Sequence, residues 1–184
     1  MRALRFFSVS RVPLRLNEME LLVRPARPGD GAAMAEIFVE AARTAWAHFL
    51  PPTRLALLRS PAERWERGGT DEVTLVAEQA GQVVAFAVVR RSDDADADPL
   101  RTGELDTFYA LPSRWGCGVG QVLLGAALEA LRAGGYREAT LWTAEQNERP
   151  RRIYEAAGWE LDGAQRLKTF LGVEFTELRY RIAL

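Results

Sequence analysis

The chain is poor in the residues from which most metal and nucleophilic chemistry is built. Its 184 residues include one cysteine, Cys117, one histidine, His48, and one lysine, Lys168. A single cysteine excludes an intrachain disulfide and a thiolate metal cluster. A single histidine excludes His-rich metal sites and argues against a Ser-His-Asp relay. No metal is therefore expected. No apolar run approaches the ~20 residues that a membrane helix needs. The net charge is −1, which leaves no electrostatic case for nucleic acid or an anionic membrane. The near-absence of lysine beside many arginines reads as coding bias.

What is present suits one soluble domain. A 48% hydrophobic, 27% charged chain of this length has enough apolar material for one sizeable core. Residues 1–18 differ in character. They carry Arg2, Arg5, Arg11 and Arg15, no acid before Glu18, and no continuous apolar centre or cleavage site. They read as a disordered extension or a misassigned start. A single domain over 19–184, in the cytoplasm, is expected to follow.

The stretch Glu104–Gly120 organises the rest. It reads as a strand, a turn at Pro112, a loop with Gly116, Gly118 and Gly120, and a helix. Val119, Val122, Leu123, Ala126, Ala127, Ala130 and Leu131 repeat at helical spacing, and Gly134–Gly135 ends the run. The glycines thus sit at a helix N-terminus, where backbone N–H groups lack partners and the dipole is positive. This fits a phosphate cradle and equally a tight strand-to-helix turn. A P-loop is excluded because Gln121 and Val122 follow Gly120. A dinucleotide fingerprint needs glycine where Gln121 stands, and an apolar strand where Glu104, Asp106, Thr107 and Tyr109 stand.

Elsewhere, Leu21–Arg24 is a strand. Asp30 is placed to cap a helix whose buried face is Met34, Ile37, Phe38, Ala41 and Ala45. Short helices are expected over Thr53–Leu58 and Ala62–Trp65. Strands Glu72–Ala80 and Gln82–Arg90 form a hairpin through Gly81. Asp93, Asp94, Asp96 and Asp98 mark a loop. Pro99 and Leu105 break an EF-hand register, leaving a solvated loop or an acidic rim for a cationic amine. Strand Ala139–Thr143 leads to a helix with Asn147 as its cap and Pro150 in its first turn. Ile153, Tyr154 and Ala157 are expected to face inward. Two strands, Trp159–Leu167 and Phe175–Ile182, close the chain around Gly172.

The segments LDTFYALPSRWGCGVGQVLL and LWTAEQNERPRRIYEAAGWE resemble the GNAT superfamily of acyl-CoA-dependent N-acetyltransferases. Gly118 and Gly120 match the small positions of its diphosphate loop. Trp115 stands where the family has Gln or Arg, with Arg114 one residue earlier. Asn147, Tyr154 and Gly158–Trp159 match the second block. The resemblance implies an α/β (α+β) fold with a mixed, mostly antiparallel sheet. That sheet would be splayed between its fourth and fifth strands and flanked by helices. It implies acetyl-CoA as cosubstrate and an amine, small-molecule or peptide, as acceptor; a homodimer is compatible with it. The diphosphate would meet Trp115, Gly116, Cys117, Gly118, Val119, Gly120 and Gln121. The pantetheine arm would lie in the splay against the backbone of Phe108, Tyr109 and Ala110, which would also supply an oxyanion N–H. Asn147 would touch the coenzyme.

Acetyl transfer requires that the amine, with a pKa near ~10.4, lose its proton, and that a thiolate of ~8.5 leave. By resemblance Glu104 is the base and Tyr154 the acid. Asp106, two residues from Glu104 on the same face, competes for the base role. Trp46, His48, Phe49 and Trp65 are either acceptor walls or core. Cys117 lies in the diphosphate loop, away from a thioester. A non-catalytic acyl-CoA-binding domain on the same fold is the alternative.

Overall fold

The computed structural model describes residues 20–66, 69 and 71–184, and the backbone of Ser10–Val12. In chain order the elements are β1 Ser10–Val12, β2 Leu21–Pro25, α1 Gly31–Ala45, α2 Pro52–Leu55, α3 Glu63–Glu66, β3 Val73–Gln79, β4 Gln82–Arg91 and β5 Thr102–Ala110. A 3-10 turn at Pro112–Arg114 leads to α4 Val119–Ala133, β6 Glu138–Ala144, α5 Glu148–Ala156, β7 Glu160–Phe170 and β8 Val173–Ala183. Among the described residues the strands form one sheet in the order β1-β2-β3-β4-β5-β6-β8-β7. Apart from Ser10–Val12, which pairs antiparallel with Leu21–Val23, residues 1–18 lie outside those described.

Every strand pair is antiparallel except β5 with β6. That parallel pairing covers only Thr102–Glu104 against Glu138–Thr140. Leu105–Ala110 and Leu141–Ala144 then diverge, and the sheet opens. Setting β1 aside, this is the expected splay between the fourth and fifth strands of a mixed α+β sheet.

A bulge accompanies the opening. The β4 register passes from Val88↔Thr107 to Val89↔Leu105, so Asp106 is an extra residue. A bulge bends its strand and shifts its alternation by one. Leu105 and, three residues on, Phe108 therefore both meet the core under α4, while Tyr109 meets the core under α1. The strand begins in close contact. A Cβ at Gly103 would stand 2.4 Å from Leu131 Cδ2 and 2.9 Å from Tyr136 Cδ2, so only glycine fits before Glu104.

Helices cover both faces. α4 buries Val119, Leu123, Leu124, Ala127, Leu128, Ala130 and Leu131. This stripe is rotated from the sequence pattern: Val122 and Ala126 are only half-buried, and Leu124 and Leu128 take their place. α1 buries Met34, Ile37, Phe38 and Ala41 as expected. Asp30 makes no side-chain cap: Arg24 takes its carboxylate at 2.7 and 3.1 Å, and the Arg27 N–H donates to it at 2.7 Å. α2 and α3 are each a single turn, shorter than or offset from the expected pieces. Ala157 is exposed rather than inward, since α5 has already ended. Both two-residue hairpin loops, Ala80–Gly81 and Leu171–Gly172, have the paired positive φ of a type I′ turn.

Candidate active site

One cleft of about 840 Å³ runs along the sheet opening. It is lined by the diverging parts of β5 and β6, by α1 and α3 at one end, and by α5 and the glycine loop at the other.

At the loop end the backbone supplies the chemistry. Gly116 and Gly118 have φ of 81° and 79°, which side chains with a Cβ rarely adopt. They turn the chain into α4, whose first intrahelical bond is Val122 N–H to Gly118 O at 3.2 Å. The N–H groups of Val119, Gly120 and Gln121 are left without helical acceptors. Val119 offers only its backbone there, since its side chain is in the core. Cys117 and Gln121 have no side chain in the cleft; Cys117 Sγ lies 3.9 Å from Trp115 O.

Trp115 brings no cation to this end. Its Nε1–H donates to Ala110 O at 2.9 Å, and the Arg149 guanidinium lies 4.9 Å from its ring centre. Arg149 also comes within 3.9 Å of a Cβ position on Gly116. Sequence reasoning missed this residue; its signal was a cation two positions after Asn147, in the first turn of α5. Asn147 holds the N-cap position but makes no side-chain cap, its ψ of 63° being wrong for one. The side chain is buried at the cleft with Oδ1 unpartnered among the described residues.

Along the opening, Leu111 N–H donates to Val84 O at 2.9 Å. Antiparallel alternation then turns the backbone groups of Tyr109 toward β4, and those of Phe108 and Ala110 toward the open edge. Of the three residues expected to offer backbone contacts, Phe108 and Ala110 turn theirs to the opening, whereas Tyr109 turns its own to β4. It presents its ring instead, 5.1 Å from Phe38, and burial pushes its hydroxyl well above the usual tyrosine range.

Glu104 and Tyr154 both reach this cleft. Glu104 is 5% exposed, and Arg90, opposite it on β4, lies 2.9 Å away. Burial pushes its carboxyl up to about 7, against the pull of Arg90; the neighbouring Asp106 and Asp94 add to the rise. A carboxylate near neutrality is suited to general-base work. Asp106 is more exposed and more occupied. It accepts from Arg90 Nε at 3.0 Å and from Thr107 Oγ1 at 2.8 Å. Arg90 also pairs with Asp93. This arginine, which orients both carboxylates, was legible in the sequence only as a strand end. Tyr154 is held on the α4 side by Phe108, Trp159 and Tyr180, at 6.1–6.3 Å between ring centres. Burial raises its hydroxyl above the usual range, so it stays protonated and available as a donor.

The other end is aromatic. Trp46 and Trp65 serve as both wall and packing. Both line the cleft, while Trp46 meets Phe170 at 5.0 Å and Trp65 meets Phe86 at 4.9 Å. Phe49 packs behind, on Phe175 at 5.5 Å. His48 joins the end of α1 to the loop before α5 through Nε2 and Gln146 O, 2.8 Å apart.

The aspartate loop is largely exposed, as expected of a solvated loop, but it is tied to the sheet and does not rim the cleft. Arg179, buried in β8, pairs with Asp94 at 3.2 Å, Asp96 at 2.6 Å and Asp162 at 2.7 Å. Trp142 Nε1–H donates to Asp94 at 2.9 Å. None of Asp93, Asp94, Asp96 and Asp98 lines the cleft. Among the described residues, no cluster of three or more His, Cys, Asp or Glu is placed to hold a metal, and no helix is long and apolar enough to cross a membrane.

Comparison with known proteins agrees with this geometry. The model of the acetyltransferase (GNAT) family matches residues 32–159, and the chain belongs to that family. It is an acetyl-CoA-dependent N-acetyltransferase. A Mycobacterium tuberculosis protein named as a probable N-acetyltransferase is 27% identical over 176 residues, covering 91% of this chain and 96% of its own. The mycothiol acetyltransferase of Sanguibacter keddieii is 33% identical over 107 residues, 58% of this chain and 33% of that protein. Among solved structures, the GNAT domain of S. lividans PAT superposes with a TM-score of 0.70 at 20% identity, covering 96% of this chain and 97% of that one. At such identity the likeness concerns the fold.

Proposed function

We propose that the chain transfers the acetyl group of acetyl-CoA directly to a primary amine bound in the same cleft, with Glu104 as base and Tyr154 as acid. The observation that carries this is one opening flanked by a buried carboxyl poised near pH 7 and a protonated tyrosine hydroxyl. The diphosphate takes the free N–H groups at the start of α4, with Gly116, Gly118 and Gly120 giving close approach and Arg149 and Arg114 supplying charge. Asn147 bonds the coenzyme. Pantetheine extends β5 along Phe108 and Ala110, and one of their N–H groups receives the oxyanion.

The amine nitrogen attacks the thioester carbon, forming N–C as C–S breaks. Glu104 takes the amine proton, directly or through water. Tyr154 gives its proton to the departing thiolate and regains one from solvent. Cys117, outside the cleft, holds no acyl group, so kinetics follow a ternary complex and survive Cys117→Ala.

The test is a panel of amines assayed for free-thiol release from acetyl-CoA, beside calorimetry of coenzyme binding. Binding with amine-dependent release supports the reading. Binding without release for any amine supports the alternative, a non-catalytic acyl-CoA-binding domain. No binding removes both.

A further inference from the structure

Four cations line the cleft without a carboxylate partner among the described residues: Arg64, Arg114, Arg149 and Lys168. Every acid that lines it has one. Glu104 and Asp106 share Arg90, Glu177 meets Arg166 at 2.6 Å, and Glu148 lies 3.8 Å from Arg152. The unpaired cations fall at opposite ends. Arg114 and Arg149 flank the glycine loop, where the diphosphate accounts for them. Arg64 and Lys168 stand at the aromatic end, where the coenzyme does not. Arg64 is fixed by stacking, its guanidinium 5.2 Å from the Phe38 ring centre and 4.7 Å from that of Trp65. Its hydrogen-bonding edge is left free. Lys168, the only lysine of the chain, pairs in register with Phe175, two residues before Phe170, which packs on Trp46.

We infer that the acceptor is an amine that carries its own carboxylate on an apolar or aromatic body, the carboxylate held by Arg64 with Lys168 in support. This rests on the transfer reading above and names its substrate class. The amine end points toward Glu104, the body lies between Phe38, Trp46 and Trp65, and the acid meets the guanidinium bidentately. A polyamine is disfavoured: the cleft would set two unpaired cations against its second charge; Asp93, Asp94 and Asp96 are committed to Arg90 and Arg179, and none of the loop aspartates lines the cleft.

The test compares phenylalanine, phenylalaninamide, phenethylamine and spermidine as acceptors, in the wild type and in Arg64→Met, which keeps a side chain over the rings. Phenylalanine should exceed the amide and the decarboxylated amine by roughly tenfold in kcat/KM, as loss of a charge-assisted bond predicts. Arg64→Met should erase that ratio, phenylalanine falling to the level of phenethylamine in the same variant. A dipeptide and 5-aminovalerate arm distinguishes a peptide C-terminus and a wider spacing from a free α-amino acid. Calorimetry measures binding of N-acetylphenylalanine and N-acetylphenethylamine to the coenzyme complex without turnover. Preference for the carboxylate product, lost in Arg64→Met, supports the inference even if transfer itself fails. Equal affinity of the two products, equal rates of the two amines, or preference for spermidine overturns it. The transfer reading falls separately, if coenzyme binds and no amine releases thiol.

Discussion

The two ends of the cleft are made in opposite ways. The end proposed for the coenzyme comes mostly from one run of chain, Phe108 to Gln121, with Asn147 and Arg149 added from the start of α5, and offers chiefly backbone groups. Its side chains are needed small or turned away: Gly116, Gly118 and Gly120, with Val119 in the core. The end proposed for the acceptor draws Phe38 from α1, Trp46 from just after it, Trp65 from α3, Tyr109 from β5 and Phe170 from β7. It works through side chains brought together only by the fold. A backbone cradle serves one fixed ligand, and a side-chain wall is free to change with the acceptor. Between the ends stand Glu104 and Tyr154, one from each side of the sheet.

The largest expected effect lies at that junction. Glu104→Gln should lower kcat/KM by roughly 10²- to 10⁴-fold, the range for a general base, and should remove an acidic limb centred on about pH 7. One acceptor of known pKa must be used for both proteins, because the amine itself titrates. The same change should stabilise the fold. A carboxyl whose folded pKa is raised favours the folded state at low pH, and that contribution is lost as pH rises through the folded value of about 7. At pH 8 the glutamine variant should therefore be more stable, by of order 1–3 kcal/mol, measured by urea unfolding. If instead Asp106→Asn removes the limb and Glu104→Gln does not, the base is Asp106.

Tyr154→Phe comes next. It removes a hydroxyl without emptying the space between Phe108, Trp159 and Tyr180. Turnover should fall by roughly 10²-fold, the lower end for a general acid, while calorimetric coenzyme affinity stays near wild type. An equal loss in affinity would make Tyr154 a binding residue and move it to the coenzyme end.

Gly120→Ala tests the cradle with less damage than a change at the left-handed Gly118. A Cβ at Gly120 meets only Phe108, at 3.7 and 3.9 Å, and the position is helical. Thermal stability should hold or rise by up to about 1 kcal/mol. Coenzyme affinity should fall by roughly tenfold, as for the loss of one or two charge-assisted backbone bonds. Unchanged affinity would mean that the diphosphate rides on Arg149 and Arg114 rather than on the helix start.

The same contrast explains what was legible in the sequence. Most strands, α4 and the glycine loop follow from periodicity and local turn chemistry, whereas the splay of the sheet came only from the family resemblance. Glu104, Tyr154 and Asn147 were found through motif positions. Arg90, Arg149 and Arg64 were not, because their roles arise from partners on other elements: a facing strand for Arg90, the Trp115 ring for Arg149, and rings on α1 and α3 for Arg64. Arg179 was missed in the same way. Nothing near residue 179 announces that it gathers acids from positions 94, 96 and 162, so Asp93–Asp98 read rightly as an exposed loop but without its tie to β8. Local propensity also failed at Asp30 and Asn147, whose side chains were expected as caps. An arginine took the first carboxylate, and backbone geometry turned the second side chain to the cleft.

The smallest effect is expected at Asp96, and it decides whether the aspartate loop belongs to the acceptor end at all. Arg179 donates to both Asp96 oxygens at 2.6 Å, and holds its carboxyl down at about 2. A depressed carboxyl stabilises the fold above its ordinary pKa, and that contribution is lost as pH falls toward 2. Yet Asp96 is 60% exposed, and exposed ion pairs contribute about 1 kcal/mol or less. Arg179 would also keep Asp94 and Asp162. Asp96→Asn should therefore lower stability by under about 1 kcal/mol at pH 7, and by progressively less as the pH is taken down through the carboxylate range. Rates with spermidine, phenethylamine and phenylalanine should keep their wild-type ratios. A selective loss of spermidine activity would restore the loop as an acidic rim. It would also mean that the loop moves away from Arg179 when a cationic amine arrives, because an aspartate held on both oxygens by a buried guanidinium has little left to offer a second cation.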